Sequence, residues 1–174
     1  MDAKAEKALV ISCRNGDRGA YADLVKAHSG RVFAICLGML GNRHDAEDMA
    51  QQTLLKGFMR IGSLQNSERF AHWIAQIARR ACLDLIRRRK TQSMRREPRQ
   101  SSPGGDPETY RHLEAALAQL HEDYRVPLLL FYFNGRSTKS IAETLDISQA
   151  AVQTRLSRAR KQLRKLLAEK GEHV

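Results

Sequence analysis

The stretch Ser140–Leu163, SIAETLDISQAAVQTRLSRARKQL, decides the fold. Ser137 can cap a short helix, TKSIAETL. Asp146 and Ile147 make a turn, and Ser148 caps a second, longer helix. Val152, Leu156, Ala159, Leu163 and Leu166 recur at steps of four and three, so this stripe faces protein. Ile141, Leu145 and Ile147 complete a shared apolar core, and Ala142 is small enough to let the two helices approach. Two helices joined by such a turn form a helix-turn-helix, whose second helix enters the DNA major groove. The face away from the stripe presents Gln149, Gln153, Thr154, Arg155 and Arg158, with Ala150 beside them. Arg reads guanine O6 and N7 bidentately, and Gln does the same to adenine. The candidate DNA set is therefore Ser148, Gln149, Ala150, Gln153, Thr154, Arg155 and Arg158, with Ser148 and the helix-start N–H groups suited to a phosphate. Arg160, Lys161, Arg164 and Lys165 lie further along, as backbone contacts or solvated charge.

The whole chain agrees with an anionic partner. Its 174 residues carry 30 Lys and Arg against 19 Asp and Glu, a formal charge of +11, which favours nucleic acid first and a membrane surface second. No apolar run reaches the ~18 residues of a membrane span, and the N-terminal stretch does not read as a signal peptide. The expectation is a cytoplasmic protein without membrane insertion. Cys13, Cys36 and Cys82 are far apart, which speaks for reduced thiols on core faces and against zinc or a disulfide framework. His28, His44, His72, His112, His121 and His173 are scattered. The sequence predicts no metal, no cofactor and no catalytic set, hence no enzyme.

The chain divides in two. Pro98, Pro103 and Pro107 with Gly104 and Gly105 fall in EPRQSSPGGDPET, which can hold no helix. The boundaries read as a first domain over 1–90, a flexible basic linker over 91–108 and a second domain over 109–174. Both halves show helical spacing and neither shows strand alternation. The fold class is all-α: two small helical domains on a flexible linker. In the first half, Gly16 ends one helix and Asp17 caps the next, which stops at Gly41 and Asn42. A third helix starts at or near Asp45, with Glu47 and Asp48 at its positive dipole end. GSLQNS breaks the chain, and a long helix follows from about Glu68 to Lys90. In the second half, ETYRHLEAALAQL precedes EDYRVPLLLFYF, with Pro127 expected near the first turn of its helix.

LEAALAQLHEDYRVPLLLFYFNGRSTKSIAETLDISQAAVQTRLSRARKQL resembles region 4, the DNA-binding domain of bacterial RNA polymerase sigma factors. DAEDMAQQTLLKGF, followed by FAHWIAQIARRACLDLIRRRK, resembles their region 2. The order of the blocks and the absence of others resemble the small extracytoplasmic-function branch of the sigma-70 family. The resemblance implies a factor that binds core RNA polymerase, at the largest subunit's clamp and at the flap, and directs it to promoter DNA. It implies that the helix Asp45–Phe58 docks on the clamp, with Asp45, Glu47, Asp48, Gln51, Gln52 and Leu55 matching the docking motif. It implies −35 recognition by region 4, and recognition and melting of the −10 element by Asn66, Ser67, Arg69, His72, Gln76, Arg79 and Arg80. Asn66 and Ser67 would hold a flipped base, and Trp73 would be core. An anti-sigma factor is implied as a further partner. The chain departs from the family where Arg80 replaces a usual Asn, where LHE at Leu120–Glu122 replaces LPE, and where Asp146 replaces a frequent turn Gly. A competing reading is a stand-alone helix-turn-helix regulator with an N-terminal dimerisation or ligand domain.

Overall fold

Side-chain caps set most of the helix starts in the computed structural model, which describes residues 3–93 and 108–171. The helices are α1 (Ala3–Arg14), α2 (Arg18–Leu40), α3 (Arg43–Arg60), α4 (Phe70–Ser93), α5 (Glu108–Gln119), α6 (Glu122–Tyr132), α7 (Thr138–Leu145) and α8 (Gln149–Gly171). Short 3-10 turns at Ile61–Ser63 and Ser67–Arg69 join α3 to α4. No strand occurs among the described residues, as the helical spacing of both halves predicts.

Asp17 accepts from the Gly19 and Ala20 N–H groups at the head of α2. Asn42 caps α3: its side chain accepts from Asp45 N–H, and the helix starts at Arg43, two residues before Asp45. Ser137 caps α7, and Ser148 accepts from Ala151 N–H at the head of α8. At α6 the cap is His121, whose Nδ1 accepts from Asp123 N–H at 3.3 Å, so the missing helix-starting Pro is replaced by a capping ring. Asp146 takes the left-handed conformation at φ 58° and closes α7, a geometry that Asp tolerates better than most residues.

Two expectations are corrected. Pro127 stands at the sixth position of α6, inside the helix rather than in its first turn; packing on all sides of α6 holds the helix despite the lost N–H. The long helix α4 continues through Thr91, Gln92 and Ser93, three residues beyond its expected end near Lys90. Of the linker predicted over 91–108, residues 94–107 lie outside the described residues, and Glu108 opens α5.

In the first half, α2 is the hub. Val32, Ile35 and Cys36 are fully buried in one core with Phe70, Ile74, Ala78 and Cys82 of α4 and Ala46 and Thr53 of α3. All three cysteines are free and buried. Trp73 is half-buried against this core, its ring 5.8 Å from Phe70. The N-terminal helix braces the start of α4: Glu6 Oε1 accepts from Ala71 N–H at 3.3 Å, and Lys7 Nζ lies 2.8 Å from Glu68 Oε1. Glu6 Oε2 also lies 2.9 Å from Nε2 of the buried His28. Arg31 Nη1 donates to His28 Nδ1 at 3.2 Å. Arginine only donates, so Nδ1 is the acceptor and the ring proton sits on Nε2, facing Glu6.

In the second half α6 is buried on every side, from Arg125 through Leu130. One side packs on α7 and α8. The other crosses α2 of the first half, joining the halves directly. At the crossing α2 offers glycine: a Cβ on Gly38 would fall 2.6 Å from Val126 Cγ2 and 2.7 Å from Val126 Cα. Gly41, at φ 68°, ends α2; a Cβ there would meet Arg125 Nη1 at 3.0 Å. The Arg125 guanidinium donates to Gly38 O at 2.6 Å and Met39 O at 3.2 Å in α2, and to Leu117 O at 3.1 Å and Ala118 O at 2.8 Å in α5. Two helix C-termini, each with free carbonyls and a negative dipole end, thus share one buried cation.

Candidate nucleic-acid and protein interfaces

The α8 helix sorts its side chains by period. Val152, Leu156 and Ala159 are buried, whereas Gln149, Ala150, Gln153, Thr154 and Arg158 are exposed. Gln149 Nε2 also donates to Thr138 Oγ1 at 2.8 Å, tying the head of α8 to α7. Ser148 is exposed beside them. Arg155 differs from its expected place on the outer face. It points sideways toward α6, its side chain 30% exposed, with Nη1 3.2 Å from Asp123 Oδ1. Ser157 and Lys161 are exposed on the same stripe as Gln153, Thr154 and Arg158. Ser157 was not among the candidates, and a four-residue step from Gln153 reaches it.

The α3 helix is also two-faced. Ala46, Met49, Ala50, Thr53 and Gly57 are buried. Glu47, Asp48, Gln51, Gln52 and Leu55 are exposed, Leu55 at 63%, so Leu55 is no part of the core. Phe58 at 41% and Met59 at 74% exposure, neither among the candidate residues, continue the flank by one turn. An exposed Leu, Phe and Met on one flank, edged by acids and amides, form an apolar centre with a polar rim. Asp45 stands apart. Its carboxylate is gripped bidentately by Arg89 of α4, with Nη2 to Oδ1 at 2.7 Å. That hydrogen bond holds the Asp45 carboxyl below its usual range. Asp45 therefore ties α3 to α4 and leaves its neighbours to face outward. Arg43 pairs with Glu47 along the helix at 3.0 Å.

The candidates between α3 and α4 lie on a loop and one helix stripe. Asn66 caps the Ser67–Arg69 turn, its Oδ1 accepting from Glu68 N–H at 2.9 Å. Its amide stays exposed, and Ser67 is half-buried. His72, Gln76 and Arg79 follow at steps of four and three and are half-buried, while exposed Arg80 sits on an adjoining flank. The stripe does not face open solvent. Arg69 Nη2 reaches Asp146 Oδ1 of the α7–α8 turn at 3.3 Å. Arg69 and His72 line a cleft of about 660 Å³ against Arg136, Lys139 and Asp146. His72 Nδ1 is buried there without a hydrogen-bond partner. Arg79 lines a smaller hollow with Met39, Asp123, Val126 and Arg155. Two sets that the sequence separates by a linker thus meet across one seam, and Arg125, which makes the seam, was not among the candidates.

Among the described residues no group of three or more His, Cys, Asp or Glu could hold a metal ion, and no helix is long and apolar enough to cross a membrane.

Comparison with known proteins covers both halves. Residues 24–92 match the family described as Sigma-70 region 2, and residues 110–163 match Sigma-70, region 4. The RNA polymerase sigma factor CarQ of Myxococcus xanthus is 32% identical over 163 residues, covering 90% of this chain and 94% of that protein. The ECF RNA polymerase sigma factor SigW of Bacillus subtilis is 28% identical over 181 residues, covering 94% and 97%. Among solved structures, CnrH in complex with the cytosolic domain of CnrY superposes with a TM-score of 0.70 at 22% identity, covering 95% of this chain and 98% of that one. The sigma factor RpoE in complex with the anti-sigma factor NepR, from Bartonella quintana, gives 0.66 at 22%, covering 85% and 96%. These two share the fold of the chain.

Proposed function

The chain belongs to the sigma-70 family of RNA polymerase sigma factors, in its extracytoplasmic-function branch, and from that membership we propose how its faces divide the work of initiation. It is a transcription initiation factor that directs RNA polymerase to promoters. The reading of a stand-alone helix-turn-helix regulator gives way to this one, because both family blocks lie in one chain in the expected order.

The exposed flank of α3 is the polymerase face: Asp48, Gln51, Gln52 and Leu55, with Glu47 at its rim and Phe58 and Met59 extending it, dock on the largest subunit's clamp. Asp45 serves the face indirectly, by fixing α3 to α4 through Arg89. The outer stripe of α8 reads the −35 element, with Gln149, Gln153, Thr154 and Arg158 toward base edges, Ala150 against the groove floor and Ser148 on a phosphate. Arg155 reaches DNA only if it leaves Asp123. The Asn66–Arg69 turn and the stripe His72, Gln76, Arg79 and Arg80 take the −10 element, with Asn66 and Ser67 at the flipped base. Flipping costs a few kcal/mol, and the exposed Asn66 amide next to a helix start offers hydrogen bonds that offset it. The second half also meets the polymerase flap. The domains are 1–90 and 109–174, apart from the three-residue extension of α4. The factor has no catalytic activity of its own, needs no cofactor, acts in the cytoplasm and is held by an anti-sigma factor.

The single observation that supports this division is that Leu55 stands 63% exposed on a flank of acids and amides, in the same chain as a capped helix-turn-helix. Run-off transcription with core polymerase on genomic fragments tests it. Transcripts starting at defined sites, and none without the factor, are expected. Operator binding by the chain alone, unaltered by polymerase, would overturn it.

A further inference from the structure

Arg31 of α2 is buried short of acceptors. It is only 5% exposed. Its Nη1 donates to the ring of His28, and its Nε has no hydrogen-bond partner. Among the described residues no carboxylate forms an ion pair with it. A buried charged donor left unpaired is costly. A second cation adds to the cost. Burial, and after it the charge of Arg136, push the Arg31 pKa down to about 10, against the pull of Glu6 and Glu143.

Both arginines line the cleft of about 660 Å³, a volume within the roughly 300–1,000 Å³ of small-molecule sites. Arg136 Nε donates to Asn134 Oδ1 at 2.8 Å, which steadies that guanidinium without neutralising it. Lys139 lines the cleft from the first turn of α7, the positive end of that helix. Most acids of the cleft are already engaged. Glu6 is held by His28 and the Ala71 N–H, Glu68 by Lys7 and Asp146 by Arg69. Among the described lining residues only Glu143 is an acid without such a partner, and it stands against Arg31, Arg136 and Lys139.

We infer that Arg31, Arg136 and Lys139 form a binding site for a phosphate group, free or carried by a small phosphomonoester. The donors reach the cleft from two sides, α2 on one and the segment from Arg136 to Lys139 on the other. A carboxylate accepts near its own plane. A phosphate monoester accepts through three oxygens pointing in different directions, and its charge of about −1.5 to −2 answers the cations left over by Glu143. Arg binds such oxyanions bidentately. Arg69 and His72 border the site, but its three cations belong to none of the faces assigned above. The inference therefore goes beyond the proposed function, and its test needs no polymerase.

The test is calorimetric titration of the full chain at constant ionic strength, with inorganic phosphate, adenosine monophosphate, adenosine and acetate as probes. Phosphate should bind saturably and raise the thermal midpoint with its concentration, as a ligand of the folded state does. Adenosine should not bind. Adenosine monophosphate binding tighter than phosphate would identify a phosphomonoester as the occupant, and equal binding would identify free phosphate. Arg31→Gln and Arg136→Gln should each weaken phosphate roughly tenfold or more, the scale of one charged hydrogen bond. Arg31 is buried, so circular dichroism accompanies its variant. Arg136→Gln and Lys139→Gln, at half-buried and exposed positions, keep the test decisive if Arg31→Gln unfolds. Glu143→Gln should tighten binding by removing the unpaired negative charge. Absence of saturable phosphate binding, a folded Arg136→Gln or Arg31→Gln protein that binds phosphate like the wild type, or acetate competing as well as phosphate would each overturn the site. So would displacement of phosphate by an equivalent of short duplex DNA with unphosphorylated ends, because the cations would then serve a nucleic-acid backbone.

Discussion

Leu55→Ala separates a docking anchor from a core residue, because the two roles place the cost in different measurements. In the free chain Leu55 is 63% exposed. Full burial of a Leu side chain is worth about 1.5–3 kcal/mol, so covering the exposed two-thirds adds about 1–2 kcal/mol when polymerase docks. That is roughly a 5- to 30-fold loss of affinity on truncation. The third already buried contributes no more than about 1 kcal/mol to the fold. The expected outcome is a clear loss of core-polymerase binding in a fluorescence anisotropy titration, with a urea midpoint close to wild type. Asp48→Ala, on the rim, should slow association and weaken its salt dependence while leaving dissociation almost unchanged. The pair together should abolish pull-down of polymerase. A stable, helical Leu55→Ala protein that bound polymerase normally would refute the reasoning, and so would one that lost its fold.

On α8, Arg158→Ala should cost roughly 1–3 kcal/mol on the matched −35 element and relax preference at one position. Arg155→Ala should act weakly and evenly across sequences, because Asp123 holds that side chain; a sequence-specific loss in gel shifts would mean the pair opens on DNA. Burial holds the His28 pKa below the usual histidine value of 6.5, although Glu6 beside it pulls the other way. The unfolded chain therefore takes up a proton that the folded one refuses, and stability should fall as pH drops through 6.5 toward the folded pKa. Burial raises the Glu6 pKa, but His28 and the Ala71 N–H outweigh it and hold Glu6 below 4.5, which adds a further loss under that pH. His28→Gln should flatten the slope of the urea midpoint between about pH 7 and pH 5. Asn42→Ala should cost about 1 kcal/mol in the first half by removing the α3 cap, read as a lower urea midpoint.

Helix ends were legible because caps are local. Asp17, Ser137 and Ser148 act within three residues of themselves, so a short window of sequence holds the whole interaction. The α8 stripe was legible for the same reason, since a period needs only neighbours. Asp45 shows the limit. A carboxylate in the first turn reads as a dipole partner or a docking charge, and only the fold brings Arg89 to it from 44 residues away. Arg155 and Asp123 are 32 positions apart, and nothing local marks that pair. Least legible was Arg125: in a run of apolar residues it reads as the exposed edge of a helix, whereas its partners are carbonyls, which every residue has. Gly38 was silent too, because a glycine inside a helix announces a close neighbour without naming it.

The brace from α1 to the start of α4 has a consequence for how such a factor diversifies. Glu6 and Lys7 hold the turn that carries Asn66 and Ser67 from behind, yet α1 meets no DNA in the division of work proposed above. On that division of work, the posture of the turn is set by a helix outside the proposed recognition surface. Substitutions in α1 can stiffen or slacken that turn while every promoter-reading side chain stays the same, so the ease of opening and the choice of sequence are free to drift separately.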